Sequence, residues 1–554
     1  MYKKILLAVF LMFNVSTAVS AENFVPAQPV INISEIKSGM QGYILTVLKG
    51  TEPSRLPVKV VSIIPQKPGT NIDSAIMIKF IGKNKLSQGM SGSPLYIRGR
   101  LAGAVRSGWE NSDQSLALVT PINSMQAVFN NDGIKTAVLT LSGMNSNSIS
   151  RLSKSLGVNI IQGISMNAQG IQNYYFKPGD AIAAMLVWGD VELSAAGTVT
   201  ATSTDGKFLA FGHEFLNRGN VLYPSARAYV HDTVDSRTFP FKLASPLYIN
   251  GTITQDREAA IGGQAGIFAP SFAASFTFKN LDTDKENKYK FRVVADEFIT
   301  SKIFEGIFKG LSYEAWGRKG QGTALITLRI DGKNIPNGWT RTDIFYSDDD
   351  VFEEAFKDTL EIINSYLTQP FSHTIPAGFS MTVEASQTPK ILRIEDIQTV
   401  SKAKPGEEIN IKVRLRGWRE DPFERTFKLR IPENASGTAQ ILVRGGGAEP
   451  MPQIALNEGL KTIDSVERML TEFKAADSNN ELVLELDTDT LTEVLKNAAA
   501  KKNSGSYENI NTIPEEEEFL SQTKERRIRE GTLKIFESDY FIDGMMKKII
   551  QVEK

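Results

Sequence analysis

The chain has 554 residues, which exceeds the size of a single folded core and predicts several domains. Its 62 basic and 63 acidic residues nearly cancel, so no basic field favours a nucleic-acid partner. The absence of cysteine excludes disulfides, cysteine nucleophiles and thiolate metal sites. The three histidines, His213, His231 and His373, have no metal-ligand spacing, so we expect neither a metal nor another cofactor.

The N-terminus is typical of a secretory leader, because Lys3 and Lys4 precede a short apolar run and small residues follow it. The pattern predicts cleavage after Ala21, which removes residues 1–21 as a signal peptide. An uncleaved N-terminal anchor is the alternative. The sequence has no other apolar run of membrane length, so we expect an exported protein, periplasmic or secreted, with no stable membrane span after cleavage.

Two β-rich halves follow the leader, residues 36–130 and 158–280, and together they predict a double-barrel-like domain over residues 22–280. Short apolar segments bounded by turn residues predict the strands of the first half, at residues 42–50, 56–64, 74–82, 93–105 and 115–122. A short helix is expected to close that half. A Ser- and Asn-rich stretch over residues 141–155 predicts a linker between the halves.

Three further regions are predicted in the C-terminal part of the chain. Residues 281–386 predict a mixed α/β domain, because residues 348–367 carry apolar side chains at helical spacing behind acidic capping residues. Residues 387–450 predict a small β-sandwich with Pro, Gly and Asn in its turns. Residues 451–554 predict a C-terminal α+β region. The expected fold class is therefore mainly β.

The stretch QGMSGSPLYIRGRLAGAV, Gln88–Val105, contains the strongest candidate for chemistry. In a Gly-x-Ser-Gly turn, the N–H groups of Gly89 and Ser91 can point at one spot and form an oxyanion hole for a Ser91 nucleophile. Ser93 is less suited, because Ser91 stands two places before it and Pro94 follows it. The alternative is a glycine-rich hairpin turn without chemistry.

A serine nucleophile needs a base, and His213 is the first candidate because it follows Gly212 at the end of an apolar strand. A buried structural histidine is the alternative reading of His213. His231 is the second candidate for the base. His373 lies in a proline-bounded loop and is the least suited.

Three aspartates are candidates for the acidic member of the site. Asp73 lies at a strand start upstream of Ser91, whereas Asp190 and Asp256 lie in the half that contains His213. Each of the three could instead be a turn residue, and the sequence leaves the choice open.

Four segments resemble the SpoIVB-type serine peptidase family, at Gly39–Ile64, Gly89–Val105, Pro178–Phe215 and Phe241–Gly263. They include the motifs GMSGSP and AFGHEF, and they span about residues 36–280. The resemblance implies a serine peptidase with Ser91 as the nucleophile and His213 as the base. The family's acid is an aspartate upstream of the serine, for which Asp73 is the nearest match.

The order of the halves differs from that of the family's sporulation enzymes, in which the histidine half comes first and a PDZ domain precedes both. Here the serine half comes first and no PDZ segment is evident, which resembles a permuted branch found in exported bacterial proteins. Met90 stands where trypsin-like enzymes carry an aspartate that pairs with a freed N-terminus. We therefore expect no activation switch of that kind.

These observations predict an exported bacterial serine endopeptidase that cleaves protein or peptide substrates. The alternative is a catalytically inactive envelope protein that uses the same fold and the C-terminal domains to bind an envelope partner. A third hypothesis is self-cleavage between the peptidase region and the C-terminal domains.

Overall fold

The computed structural model describes residues 24–66, 72–129, 139–156, 160–162, 175–236, 238–332, 335–372, 376–448, 463–488 and 520–553. The predicted leader, residues 1–21, and His373 lie outside the described residues. The chain divides into two compact units. The first comprises Met1–Ala137, Met166–Ala184 and Ala195–Phe268, and the second comprises Val138–Ser165, Met185–Ser194 and Ala269–Lys554.

The first unit begins with a 3-10 turn at Ile33–Glu35 and a closed six-stranded barrel. The barrel strands are β1 (Gln41–Thr46), β2 (Ser54–Pro65), β3 (Ser74–Phe80), β4 (Pro94–Ile97), β5 (Arg100–Ser107) and β6 (Leu116–Pro121). Their order is β1-β2-β3-β6-β5-β4, and all five predicted segments form strands. Along β2, buried Leu56, Val58 and Val60 alternate with exposed residues, as expected when one face of a strand lines a core.

The predicted short helix follows this barrel as α1 (Ile122–Gln126), which continues into a 3-10 turn at Ala127–Phe129. The chain then contributes β7 (Leu139–Ser142), α2 (Ser146–Leu156) and β8 (Ile160–Gln162) to the second unit.

A second set of six strands follows in the chain. It contains β9 (Ala181–Gly189), β10 (Glu192–Thr202), β11 (Lys207–Ala210), β12 (Gly219–Val234), β13 (Phe241–Arg257) and β14 (Ala260–Ala265). Residues 181–184 of β9 and 195–202 of β10 belong to the first unit. The order is β9-β12-β13-β14-β11-β10, and β9 also pairs with β10, so the set returns to its first strand. The prediction of a mainly β fold with two barrel-like halves is confirmed.

The second unit contains a sheet of strands in the order β18-β17-β19-β15-β16 together with helices. The elements are β15 (Ser271–Asn280), β16 (Lys285–Val294), α3 (Thr300–Trp316), β17 (Gly322–Gly332), β18 (Ile335–Ser347), α4 (Val351–Thr368) and β19 (Pro376–Ser386). The helix α4 matches the predicted amphipathic helix, and the Asp350 side chain caps it by accepting the N–H of Phe352.

The prediction of a linker at residues 141–155 is wrong, because most of this stretch forms α2. The helix packs closely on α3 at two glycines of that helix. A Cβ atom at Gly306 would lie 2.2 Å from a methyl carbon of Leu152, and one at Gly310 would lie 2.8 Å from the Cβ of Ser148. The close helix contact therefore stabilises a Ser-rich helix whose buried Ile149 and Leu152 lie on one face.

The C-terminal part of the second unit is a two-sheet sandwich with two helices. Its elements are β20 (Ile391–Gln398), β21 (Lys402–Ala403), β22 (Glu408–Gly417), β23 (Phe423–Arg430), β24 (Gly437–Gly445), a 3-10 turn (Gly446–Ala448), α5 (Val466–Ala475), β25 (Glu481–Thr488), α6 (Leu520–Glu530), β26 (Leu533–Glu537), β27 (Phe541–Asp543) and β28 (Met545–Val552). The sheets have the orders β23-β22-β20-β27 and β21-β28-β24-β25-β26.

Buried side chains of both sheets, such as Val413, Val443 and Leu484, share one core. The sandwich predicted at residues 387–450 thus takes strands from the region after it. Of the helices within the described ranges, none has both the length and the apolar character that crossing a membrane requires.

Candidate active site

Ser91 lies in a tight segment that we call the serine turn, residues 87–93, directly before β4. Backbone hydrogen bonds join this turn to the start of β13. The N–H of Gln88 donates to the carbonyl oxygen of Pro240 at 2.7 Å, and the N–H of Lys242 donates to the carbonyl oxygen of Gln88 at 3.0 Å. The serine turn, which precedes a strand of the first barrel, is therefore also held by a strand of the second set.

Three backbone N–H groups of the serine turn, those of Ser87, Gly89 and Ser91, donate no hydrogen bond within the described part of the chain, and the last two are the oxyanion-hole candidates. Their directions are fixed at the other end of each peptide plane, because a trans peptide points its C=O and N–H in opposite directions. The Gln88 carbonyl accepts from Lys242, and the Met90 carbonyl accepts from the N–H of Ser93 at 2.9 Å. The turn therefore presents two oriented donors without partners, as an oxyanion hole requires.

Thr198 of β10 connects the serine turn to the segment that carries His213. Its N–H donates to the Ser91 carbonyl oxygen at 2.8 Å, and its own carbonyl oxygen accepts the N–H of Phe211 at 3.3 Å. Gly92 stands against the same groups, so that a Cβ atom there would lie 1.9 Å from the Thr198 oxygen and 2.4 Å from the Phe211 nitrogen. Only glycine fits this contact.

A sharp bend after β11 directs His213. Phe211 and Gly212 have φ angles of 69° and 68°, which for Phe211 is a strained conformation. The bend packs on the first barrel, where the hydroxyl of Thr120 donates to the Gly212 carbonyl oxygen at 2.6 Å. The strained bend thus holds the backbone next to His213 against the barrel that carries Ser91.

The His213 ring is held by a backbone carbonyl. Its Nδ1 contacts the carbonyl oxygen of Glu214, and a carbonyl oxygen can only accept a hydrogen bond. Nδ1 is therefore the protonated nitrogen, and Nε2 carries the lone pair that a general base uses. In trypsin-like triads an aspartate fixes this tautomer.

The electrostatic surroundings make His213 a weak base. Burial and, to a smaller extent, the positive charge of Arg106 together lower the pKa of His213 to about 4, although the Glu214 hydrogen bond acts in the opposite direction. Burial also raises the pKa of the Glu214 carboxyl group to about 7. Among the described residues, no carboxylate pairs with the His213 ring.

Ser91 and His213 both neighbour Arg106, but they are not hydrogen-bonded to each other among the described residues. The Ser91 hydroxyl lies 3.5 Å from the Arg106 carbonyl oxygen, at the outer limit of a hydrogen bond. This leaves the hydroxyl weakly held. Catalytic hydrogen bonds are often longer without substrate than in a substrate complex.

The structure does not bring Asp73 or Asp190 to the His213 ring through any described contact. Asp73 is exposed and precedes β3, and its carboxylate makes no hydrogen bond among the described residues. Asp190 is an exposed turn residue of the second unit, where its carboxylate accepts the N–H of Lys290 at 2.7 Å. Neither carboxylate fixes the tautomer of His213 in this structure.

Asp256 is fully buried on β13 and holds the segment that follows His213. Its carboxylate accepts the backbone N–H groups of Phe215 at 2.6 Å, Leu216 at 2.7 Å and Arg218 at 3.2 Å. Burial raises the pKa of this carboxyl group, although the three donors act in the opposite direction. Asp256 thus positions the His213 segment without touching the ring.

We expect Asp256→Asn to destabilise the first unit by about 2–3 kcal/mol, because an amide NH₂ would face backbone donors in a buried site. The matched control is Asp73→Asn, the same substitution at an exposed position of the same unit, with an expected change below about 0.5 kcal/mol. Urea unfolding followed by fluorescence measures both. Equal midpoints for the two variants would contradict this role of Asp256.

Two further residues considered in the sequence analysis, His231 and Met90, have structural contacts. His231 lies on β12 with its Nε2 2.9 Å from the Ser245 hydroxyl, and His373 is outside the described residues. Met90, at 2% exposure, packs into the core of the first barrel. The described residues contain no group of three or more His, Asp or Glu side chains arranged to hold a metal ion.

The sequence-based analysis missed Lys242, Thr198 and the carbonyl group of Glu214. A lysine in the apolar stretch FPFKLAS was the one available signal, since lysine is rarely buried without a partner. Every residue has a backbone carbonyl, so the sequence cannot indicate which one fixes the tautomer of a histidine. Comparisons of the chain with protein-family models, curated proteins and solved structures give no match.

Proposed function

We propose that the first unit is a serine endopeptidase of an exported bacterial protein, periplasmic or secreted, with Ser91 as the nucleophile. One observation carries the proposal: the N–H groups of Gly89 and Ser91 belong to the turn that carries the Ser91 hydroxyl, their peptide planes are held by hydrogen bonds to the carbonyls of Gln88 and Met90, and the described residues offer them no acceptor. Free backbone donors of this kind are what a developing oxyanion needs.

In the proposed reaction, the Ser91 hydroxyl attacks the carbonyl carbon of a peptide bond. His213 Nε2 removes the hydroxyl proton, and the N–H groups of Gly89 and Ser91 stabilise the negative oxygen of the tetrahedral intermediate. His213 then gives the proton to the leaving amine, and water hydrolyses the acyl-enzyme by the same route in reverse. The Glu214 carbonyl fixes the tautomer but adds no full negative charge, so we expect slower turnover than in a complete triad.

The second candidate function is a catalytically inactive envelope protein that binds partners through the same fold and the sandwich. Two observations favour it: no described hydrogen bond joins Ser91 to His213, and no described carboxylate touches the His213 ring. The two candidates differ in whether the purified protein turns over a substrate.

Cleavage of a fluorescently labelled unfolded protein such as casein tests the proposal. We expect the native protein to cleave it and Ser91→Ala to lose at least about 10³-fold in rate. Ser93→Ala is the matched control, because it removes a hydroxyl from the same turn and should keep part of the activity. Full activity in Ser91→Ala would contradict the proposal, and no cleavage by the native protein would favour the binding function.

A further inference from the structure

Lys242 is a buried amine at the back of the serine turn. The side chain is 4% exposed, and its Nζ lies 2.6 Å from the hydroxyl of Thr46 and 3.5 Å from the hydroxyl of Thr198. Among the described residues no carboxylate pairs with it. Burial lowers the pKa of Lys242 to about 7. An unpaired amine in a closed interior costs stability, so packing alone does not explain a lysine here.

The Lys242 stem fills the space under Gly89. A Cβ atom at Gly89 would lie 3.2 Å from both Cβ and Cδ of the lysine. The lysine's backbone N–H also holds the Gln88 carbonyl, which sets the direction of the Gly89 N–H. The Lys242 side chain therefore packs against Gly89, and its backbone N–H fixes the peptide that joins Gln88 to Gly89.

The amine contacts Thr198, whose hydroxyl binds the peptide after Gly89. The Thr198 hydroxyl lies within 3.5 Å of two donors, Lys242 Nζ and the Ser93 hydroxyl, and 3.0 Å from the Gly89 carbonyl oxygen. Because a carbonyl oxygen only accepts, the threonine's own proton goes to the Gly89 carbonyl, and the two contacts of 3.5 Å lie at the outer limit of a hydrogen bond. Both peptides of Gly89 are thus linked to Lys242.

We propose that Lys242 is a positioning residue of the oxyanion hole, which holds the Gly89 N–H in its productive direction through its backbone, its stem and the Thr198 hydroxyl. The inference rests on the proposed function of Ser91. This role accounts for the presence of a lysine at this position. An apolar side chain of similar length would pack against Gly89 at a lower cost in folding free energy, so packing alone would not favour the amine.

A fluorophosphonate probe tests the inference, because it reacts with an activated serine while its phosphoryl oxygen occupies the oxyanion hole. We expect Lys242→Met to lower the maximal labelling rate at least about tenfold with unchanged probe affinity, and to leave the urea unfolding midpoint equal or higher. Thr198→Val should lower the labelling rate similarly. The double variant should lose no more than the larger single loss, since the two side chains act through one hydrogen bond.

Thr252→Val is the matched control, because this buried hydroxyl of β13 donates to the Ile267 carbonyl oxygen at 2.7 Å and lies outside the serine turn. A labelling rate of Lys242→Met within about twofold of native would overturn the inference and leave the proposed function standing. A rate that falls together with the unfolding midpoint would also overturn it, because Lys242 would then be merely structural. Failure of the native protein to label would overturn the proposed function and this inference together.

Discussion

His213→Ala is expected to lower the fluorophosphonate labelling rate of Ser91 by at least about 10³-fold, as the loss of a catalytic base does. Its Nε2 carries the free lone pair, because Nδ1 is bound by the Glu214 carbonyl. The matched control is His231→Ala, which removes a contact with the Ser245 hydroxyl and should leave labelling within about twofold of native. A loss in His231→Ala with none in His213→Ala would contradict the assignment.

The pH dependence of labelling provides a second readout of the same assignment. A base must be unprotonated, so the rate should fall only as the pH drops through the pKa of His213, which burial lowers to about 4. Arg106→Gln should move this midpoint upward, because it removes a positive charge that lowers the pKa. A midpoint near the ordinary histidine pKa of about 6.5 in the native protein would contradict the burial of the base.

Gly92→Ala is expected to destabilise the first unit by more than about 4 kcal/mol. Single substitutions reach a loss of this size only through a severe change such as a steric clash in the core. The added Cβ atom would lie 1.9 Å from the Thr198 carbonyl oxygen and 2.4 Å from the Phe211 nitrogen. Both are backbone atoms, so a rotamer change cannot relieve the clash. The φ angle of 91° adds a further conformational cost. Urea unfolding of the purified variant measures the change.

Gly82→Ala is the matched control for this prediction. Gly82 has a φ angle of 80°, but a Cβ atom there would meet nothing within 4 Å. It therefore isolates the conformational cost, which we expect to be about 1–2 kcal/mol. Similar unfolding midpoints for the two alanine variants would show that the contact of Gly92 with Thr198 and Phe211 is not tight.

The fold of the first unit was predictable from local patterns. The apolar alternation of β2 and the glycine-bounded segments of the first half carry the period and the turn residues of short strands. The helix α4 was predictable because its apolar spacing and its Asp350 cap agree. The helix α2 was not, since Ser and Asn dominate it and its stability depends on glycines of α3 more than 150 residues away.

The candidate site was predictable only in part. Residue types indicated Ser91 and His213, because glycine, hydroxyl and imidazole groups have chemical meaning in themselves. They could not indicate that Asp256 would serve backbone donors, or that the pairing of β13 with the serine turn would place Lys242 beneath Gly89. Such roles arise from long-range contacts and from main-chain groups that every residue possesses.

The site of covalent modification by a fluorophosphonate tests the central proposal most directly. The native protein is treated with the probe at neutral pH, digested, and mapped by tandem mass spectrometry. The proposal predicts one phosphonyl adduct, on the Ser91 oxygen, that is absent after prior heat denaturation. An adduct on Ser93, or no serine adduct in the folded protein, would contradict the assignment of Ser91 as an activated nucleophile.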